Sequence, residues 1–150
     1  FAHIQIGHLI TNMFGLFFFG IQLERKLGSV EFLLYYLLTG ALSALFSLGM
    51  LWVLGAPGAA VFGASAGVFA VLLAYATYFP TARVLVFGIL PMSSVTMVLA
   101  YTAIVVISMF TGRGTSAHPT DLAGLVFGFF YLLLRLRINP IREFTGTRRY

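Results

Sequence analysis

Apolar residues run along this chain in blocks, not in the alternation or narrow stripes of a soluble domain. Five blocks stand out: Leu9–Leu23, Phe32–Leu54, Ala64–Phe79, Ser93–Thr111 and Thr120–Leu134. A membrane-crossing helix needs roughly 20 mainly apolar residues. The second and fourth blocks approach or exceed that length alone; the first, third and fifth need flanking residues. The connectors carry turn signals: Leu27-Gly28-Ser29, Gly55-Ala56-Pro57-Gly58, Pro80-Thr81, Pro91-Met92 and Gly112-Arg113-Gly114. The apolar stretch Val84–Leu90 is too short to span and is expected at the interface or packed back onto the bundle. The pattern predicts an all-α membrane protein, a polytopic bundle of five transmembrane helices. It forms a single domain over residues 1–150, with a basic tail from about 135.

Composition sharpens this picture. Sixty per cent of the residues are hydrophobic and 9% are charged, against about a quarter charged in soluble domains. A water-soluble globular protein is excluded. There is no cysteine, which removes disulfides, thiolate metal sites and cysteine nucleophiles. The net charge of +5 raises nucleic acid as a partner, but the cations are placed otherwise. Arg25 and Lys26 follow the first block, Arg83 the third, and Arg135, Arg137, Arg142, Arg148 and Arg149 the fifth. These all fall on one side of a five-helix topology, and Arg113 alone falls on the other. The positive-inside rule puts that side, and the C-terminus, in the cytoplasm. The tail then sets topology and offers a contact for anionic headgroups; no nucleic-acid-binding motif accompanies it. The chain opens on Phe1 with no cleavable signal pattern and reads as a piece of a longer protein.

Polar groups inside a membrane are costly and need a reason. His8 and Asn12 lie early in the first block, Ser65 in the first turn of the third, and His118 and Asp121 at the start of the fifth. All three blocks begin on the outer side, so topology alone brings these groups to one depth. His8 and Asn12 are four apart and share a helix face. Gly63 and Gly67 flank Ser65, and Gly124 and Gly128 form a second small-xxx-small pair, so the two helices can approach closely. A serine beside a base and hydrogen-bond donors is the arrangement for acyl transfer. His8, Asn12 and the Ser65 backbone N–H are candidate oxyanion donors.

Each residue also has a plain structural role. Gly-Ala-Ser-Ala-Gly serves as a packing patch in many membrane helices. Asp121 suits a first turn by the helix dipole, and Pro119 suits a first helical position. His8 and Asn12 can bond backbone or headgroups, and His3 is expected at the interface. Glu24 is expected to form a weak surface ion-pair cluster with Arg25 and Lys26. The joint placement, not any single residue, favours a site.

The residues together resemble the rhomboid intramembrane serine proteases. Phe1-Ala2-His3, His8-Leu9, Asn12-Met13, Gly20, Leu23-Glu24 and Leu27-Gly28 are similar to that family's second transmembrane helix. Gly63-Ala64-Ser65-Ala66-Gly67-Val68-Phe69 resembles its nucleophile motif at the start of the fourth. Leu122-Ala123-Gly124 with Gly128 resembles the sixth, and Phe79-Pro80-Thr81-Ala82-Arg83 a connector. The resemblance implies a six-helix bundle with a Ser–His dyad open to the extracytoplasmic side, cutting single-pass membrane proteins without metal or organic cofactor. Ser65 would be the nucleophile, and His8 and Asn12 would belong to the oxyanion hole. Gly124 would permit tight packing of the last helix on the nucleophile helix.

Two departures matter. The family's first helix is not in this chain. The catalytic histidine should precede Gly124 by three positions, where this sequence has Asp121. His118 lies one turn earlier and matches a non-catalytic histidine of the family. An aspartate of ordinary pKa near 3.9 is a poor base for a serine hydroxyl and lacks imidazole's switch near neutrality. A Ser65–His118–Asp121 arrangement would need the last helix to shift by about 4.5 Å. The reading is therefore a protein of the serine intramembrane protease family with impaired or absent proteolysis. The alternative is a pseudoprotease that binds transmembrane segments without cutting them. A small transporter ranks below both, because the polar cluster sits near one face and no paired broken helices appear.

Overall fold

The computed structural model describes residues 2–53, 55, 63–86, 90–111 and 118–146, with backbone alone at 2–8, 63, 86 and 90. The chain begins with α1 (Ala2–Gly15), a π-helical turn (Leu16–Gly20) and α2 (Ile21–Leu27). Gly15, Gly20 and Ile21 all keep right-handed helical dihedrals, so the three segments form one continuous helix. It extends beyond the expected Leu9–Leu23 block at both ends. It stops at Gly28, whose φ of 86° suits only glycine and whose N–H returns to the Glu24 carbonyl at 2.7 Å.

The next helix, α3 (Ser29–Val53), is the one element among the described residues that is both long and apolar enough by itself to cross a bilayer. Its interior face is Tyr35, Thr39, Ser43 and Ser47, all no more than 2% exposed. These are spaced four apart and all carry hydroxyls. Its leucines, Leu33, Leu34, Leu37, Leu38, Leu42, Leu45 and Leu48, are on the outside. A helix in water is built the other way round. The arrangement fits a lipid environment, where small hydroxyl residues let helices approach and bond their own backbone. Thr39 Oγ1 donates to the Tyr35 carbonyl and Ser43 Oγ to that of Thr39, each at 2.6 Å.

The middle of the bundle is α4 (Gly63–Tyr78), in which almost every residue from Ser65 to Thr77 is buried. Such a helix, apolar all round, belongs at a bundle centre. It is followed by an antiparallel hairpin, β1 (Arg83–Val86) and β2 (Leu90–Ser93), in register Arg83↔Ser93 and Val84↔Met92. Val84 and Met92 pack on the core, while Leu85 and Pro91 on the opposite face are exposed. The stretch expected to pack back on the bundle thus does so as a two-stranded ribbon. Residues 87–89 lie outside the described ones.

Two further long helices follow, α5 (Ser94–Phe110) and α6 (His118–Leu134), and then a short α7 (Pro140–Phe144). Ser93 caps α5, accepting from Thr96 N at 3.1 Å. At 16, 17 and 17 residues, α4, α5 and α6 rise roughly 24–26 Å, short of a hydrocarbon core of about 30 Å. Of the five spans expected, α3 alone among the described elements is long and apolar enough by itself to cross a bilayer, within a helical membrane bundle. The tail from 135 carries the short α7: Asn139 accepts from Ile141 N at 3.0 Å, Pro140 takes the first helical position, and Pro140 is buried.

Contacts between helices fix their directions. A side chain at Gly124 would strike the backbone of Ala66, and one at Gly128 would strike Ala70. Both pairs have the same sequence offset, so α4 and α6 run parallel. Gly15 lies against Val68 and the rings of Phe19 and Tyr75 meet at 4.9 Å, so the first helix runs parallel to them as well. In contrast, α3 runs antiparallel: Tyr35 Oη donates to the Ala70 carbonyl at 2.7 Å and Ser47 Oγ pairs with Thr120 Oγ1 at 2.6 Å. At its other end α3 is clamped to α6. Glu31 accepts from Arg135 Nε at 2.7 Å, Arg135 Nη2 at 2.9 Å and Tyr131 Oη at 2.6 Å. The hydrogen bonds that Arg135 donates to Glu31 raise its pKa further above the ordinary value, so this guanidinium is always charged.

Candidate functional site

Three parallel helices bring their N-terminal halves to one end of the bundle, and the candidate polar residues lie there. The offset of 58 between α4 and α6 puts Ser65 level with Ala123 and Asp121 level with Gly63. Asp121 is thus two residues, about 3 Å, above Ser65 along the axis. It lies three residues from Gly124 and so on the α6 face that meets α4. His118 is five residues, about 7.5 Å, above the serine level. The Gly15–Val68 contact likewise makes Asn12 level with Ser65, with His8 one turn further out. Ser65 is fully buried, Asp121 is 4% exposed, and Asn12 is half-buried.

The closeness of α4 and α6 comes from Gly124. A Cβ there would lie 2.2 Å from the Ala66 carbonyl oxygen, a distance that admits only hydrogen. Gly128 has the same role one turn on, with Ala70 on one side and the Tyr35 hydroxyl on the other. The partner of Gly67 differs from expectation. It faces the Tyr36 ring of α3, at 2.7 Å from a built Cβ, and the α6 glycines sit on Ala66 and Ala70. The small-residue stripe of α4 therefore serves two neighbours, because alanines suffice where the facing residue is itself glycine. Gly63 begins α4 with its backbone described. The side chains of His3 and His8 lie outside the described residues.

Two residues near the site were not singled out from sequence. Thr120 and Ser47, both buried, pair at 2.6 Å and tie the first turn of α6 to α3 immediately beside Asp121. A hydroxyl four residues after Ser43 was the available signal, but its partner lies 73 positions away. His118 Nδ1 is buried and accepts or donates no hydrogen bond among the described residues. One expectation is overturned: Glu24 does not pair with Arg25 and Lys26. It accepts from Ser29 Oγ at 2.6 Å, which closes the turn at Gly28 instead.

The six described Lys and Arg residues, Arg25, Lys26, Arg83, Arg135, Arg137 and Arg142, all lie at or beyond the C-terminal ends of the three parallel helices, opposite the serine. No group of histidine, aspartate and glutamate suited to a metal occurs among the described residues. The chemistry on offer is that of a buried hydroxyl, a carboxyl within a turn of it, and an amide at the same level.

A membrane helical bundle with a buried serine next to the alanine on which a glycine of its last long helix packs defines the class. The chain belongs to the rhomboid family, whose Rhomboid domain model matches residues 1–138. It is 30% identical over 135 residues to the presenilin-associated rhomboid-like protein, mitochondrial, of Bos taurus, which covers 88% of this chain and 35% of that protein. It is 32% identical over 151 residues to RHOMBOID-like protein 4 of Arabidopsis thaliana, covering 96% and 35%. RHOMBOID-like protein 12, mitochondrial, of the same plant is 52% identical over 42 residues, 28% of this chain and 12% of that one. The chain thus spans about a third of the length of the first two relatives. No solved structure gives a significant match. The family and its relatives make this a membrane protein of the rhomboid-type intramembrane protease family.

Proposed function

We propose that the chain is a single-domain serine intramembrane protease scaffold with Ser65 as nucleophile and Asp121 at the position of the general base. Its substrates or clients are transmembrane segments of single-pass proteins that reach the site from the bilayer. The supporting observation is the register of α4 and α6. Gly124 on Ala66 puts residue 121, and not residue 118, within reach of the serine level.

In this reading the Ser65 hydroxyl attacks a backbone carbonyl and passes its proton to the neighbouring base. Asn12, His8 and the Ser65 N–H stabilise the oxyanion that develops. The weak step is the proton transfer. A carboxylate near its ordinary pKa takes the serine proton poorly and, once charged again, holds none to give to the leaving amine. In one well-studied serine protease, removing the histidine alone costs about 10⁶ in turnover. Turnover in this sequence is therefore strongly impaired. A second reading, client binding without cleavage, is favoured by that same carboxyl, since the groove for a transmembrane segment does not depend on the base.

The multi-pass topology belongs to this proposal too. The basic ends of α2, α4 and α6 face the cytoplasm and the serine end faces the extracytoplasmic side. No metal or organic cofactor takes part. The deciding experiment is cleavage of a transmembrane reporter by the purified chain beside Ser65→Ala and Asp121→His. Asp121→His is expected to raise cleavage by about 10² or more over the parent, and Ser65→Ala on that background to abolish it. Cleavage by Asp121→His that survives Ser65→Ala would remove Ser65 as nucleophile. Client capture by the parent with no cleavage even by Asp121→His would favour the binding reading.

A further inference from the structure

The cationic end of the first helix is not explained by the serine site. Gln22, Arg25 and Lys26 are spaced three and four apart, so they share one helix face at the last turns before Gly28. Opposite them stands Phe79, just past the end of α4, and between them lies an open cavity of about 270 Å³. Two of its walls are held in place. Phe79 packs against Tyr75 with ring centroids 5.1 Å apart and planes tilted by 38°. Gln22 Nε2 donates to the Phe18 carbonyl at 3.2 Å, and Gln22 Oε1 accepts from Tyr75 Oη at 3.5 Å.

The two cations facing this cavity take no ion pair among the described residues. Of the nearby carboxylates, Glu31 holds Arg135 and Glu24 accepts from Ser29. Two like charges on adjacent residues that take no ion pair attract an anion. Above the cavity the same helix presents exposed aromatics. Phe14 and Phe18 stack at 5.9 Å, and both are more than half exposed. An apolar stripe leading into a cationic cavity with an amide matches one kind of molecule. It carries hydrocarbon chains along one end and a phosphate at the other, and it lies where a membrane-embedded bundle meets water.

We propose that this cavity binds the phosphate headgroup of an anionic phospholipid, with Arg25 and Lys26 on the phosphate, Gln22 and Phe79 as its walls, and acyl chains along Phe18 and Phe14. The site is independent of the proteolytic reading. It ties the first helix to α4 through a shared ligand at the end opposite the serine.

The test is native mass spectrometry of the whole chain in detergent micelles, titrated with phosphatidylglycerol or phosphatidylcholine. Phosphatidylglycerol is expected to bind the more tightly. R25Q/K26Q is expected to weaken it about tenfold or more. R137Q/R142Q removes the same charge from the tail, whose contact with headgroups is a diffuse one, and should weaken it clearly less, by about threefold at most. Equal losses in the two double variants, or no loss in either, would overturn the proposal. So would displacement of the lipid by equimolar inorganic phosphate, which would mark a site for the free anion instead. Should R25Q/K26Q not fold, quenching in vesicles replaces it. A tryptophan introduced by Ile21→Trp, with Trp52→Phe to remove the only other one, should be quenched more by brominated phosphatidylglycerol than by brominated phosphatidylcholine. Equal quenching would likewise overturn the site.

Discussion

Gly124 shows how one missing side chain controls a site. The Ala66 carbonyl occupies the space where a Cβ would be, and it is backbone inside a buried helix that cannot rotate away. Gly124→Ala must push α6 off α4. Overpacking of this kind costs about 1–3 kcal/mol. The same shift moves Asp121, one turn away, further from Ser65. Gly124→Ala is expected to lower the unfolding midpoint in detergent and, with Asp121→His present, to remove most cleavage. An unchanged midpoint would mean that α6 has slack at this contact. The sequence exposed Gly124 through its spacing with Gly128. It could not reveal that the partner is the Ala66 backbone and not Gly67, because both small residues of the stripe satisfy the same pattern.

At the scale of elements, the π turn at Leu16–Gly20 decides which way the first helix points. A π turn is an α-helix with one extra residue. Everything before it is rotated by about 100° relative to an uninterrupted helix. In the observed arrangement Gly15 faces Val68 of α4 while Gly20 faces Phe32 of α3, and Asn12 comes level with Ser65. Deleting exposed Phe18 should restore a regular helix and turn Asn12 away from α4. The chain has no cysteine, so Asn12→Cys with Ser65→Cys can be joined by a short bifunctional maleimide. The yield is expected to fall several-fold on the deletion. An undiminished yield would show that the π turn does not aim this segment. Nothing in the run Leu16-Phe17-Phe18-Phe19-Gly20 announced it. The extra residue is tolerated because neighbouring helices hold both halves of the helix in place, and local propensity has no such term. The hairpin after α4 was half legible in the same way. Val84–Leu90 was recognised as too short to span, but its ribbon form depends on Val84 and Met92 both finding the core.

Over the whole molecule, the inverted polarity of α3 is the feature that sets the solvent. Its interior is hydroxyls and its exterior is leucine, so packing inside rests on small size and close approach. Hydrophobic transfer drives little of it, since lipid is as apolar as leucine. Substitutions should therefore rank opposite to those in a soluble protein. Ser43→Leu, buried between helices, is expected to destabilise by about 1–3 kcal/mol. Leu42→Ala, exposed to lipid, should stay within about 0.5 kcal/mol. Unfolding of both variants in mixed micelles checks the ranking, and a larger loss from Leu42→Ala would contradict a lipid-facing exterior.

The sequence by itself determined the membrane class, the order of the helices, the end at which the cations gather and the candidates Ser65, Asn12 and Asp121. These follow from composition, block length and parity of topology, which are sums along the chain. Only the tertiary structure decided that Gly124 sits on the Ala66 backbone, the π turn, the Ser47–Thr120 tie, and the release of Arg25 and Lys26 from Glu24. Each of these depends on which atoms meet across a helix interface. Such meetings are set by steric fits of less than an ångström between residues far apart in sequence.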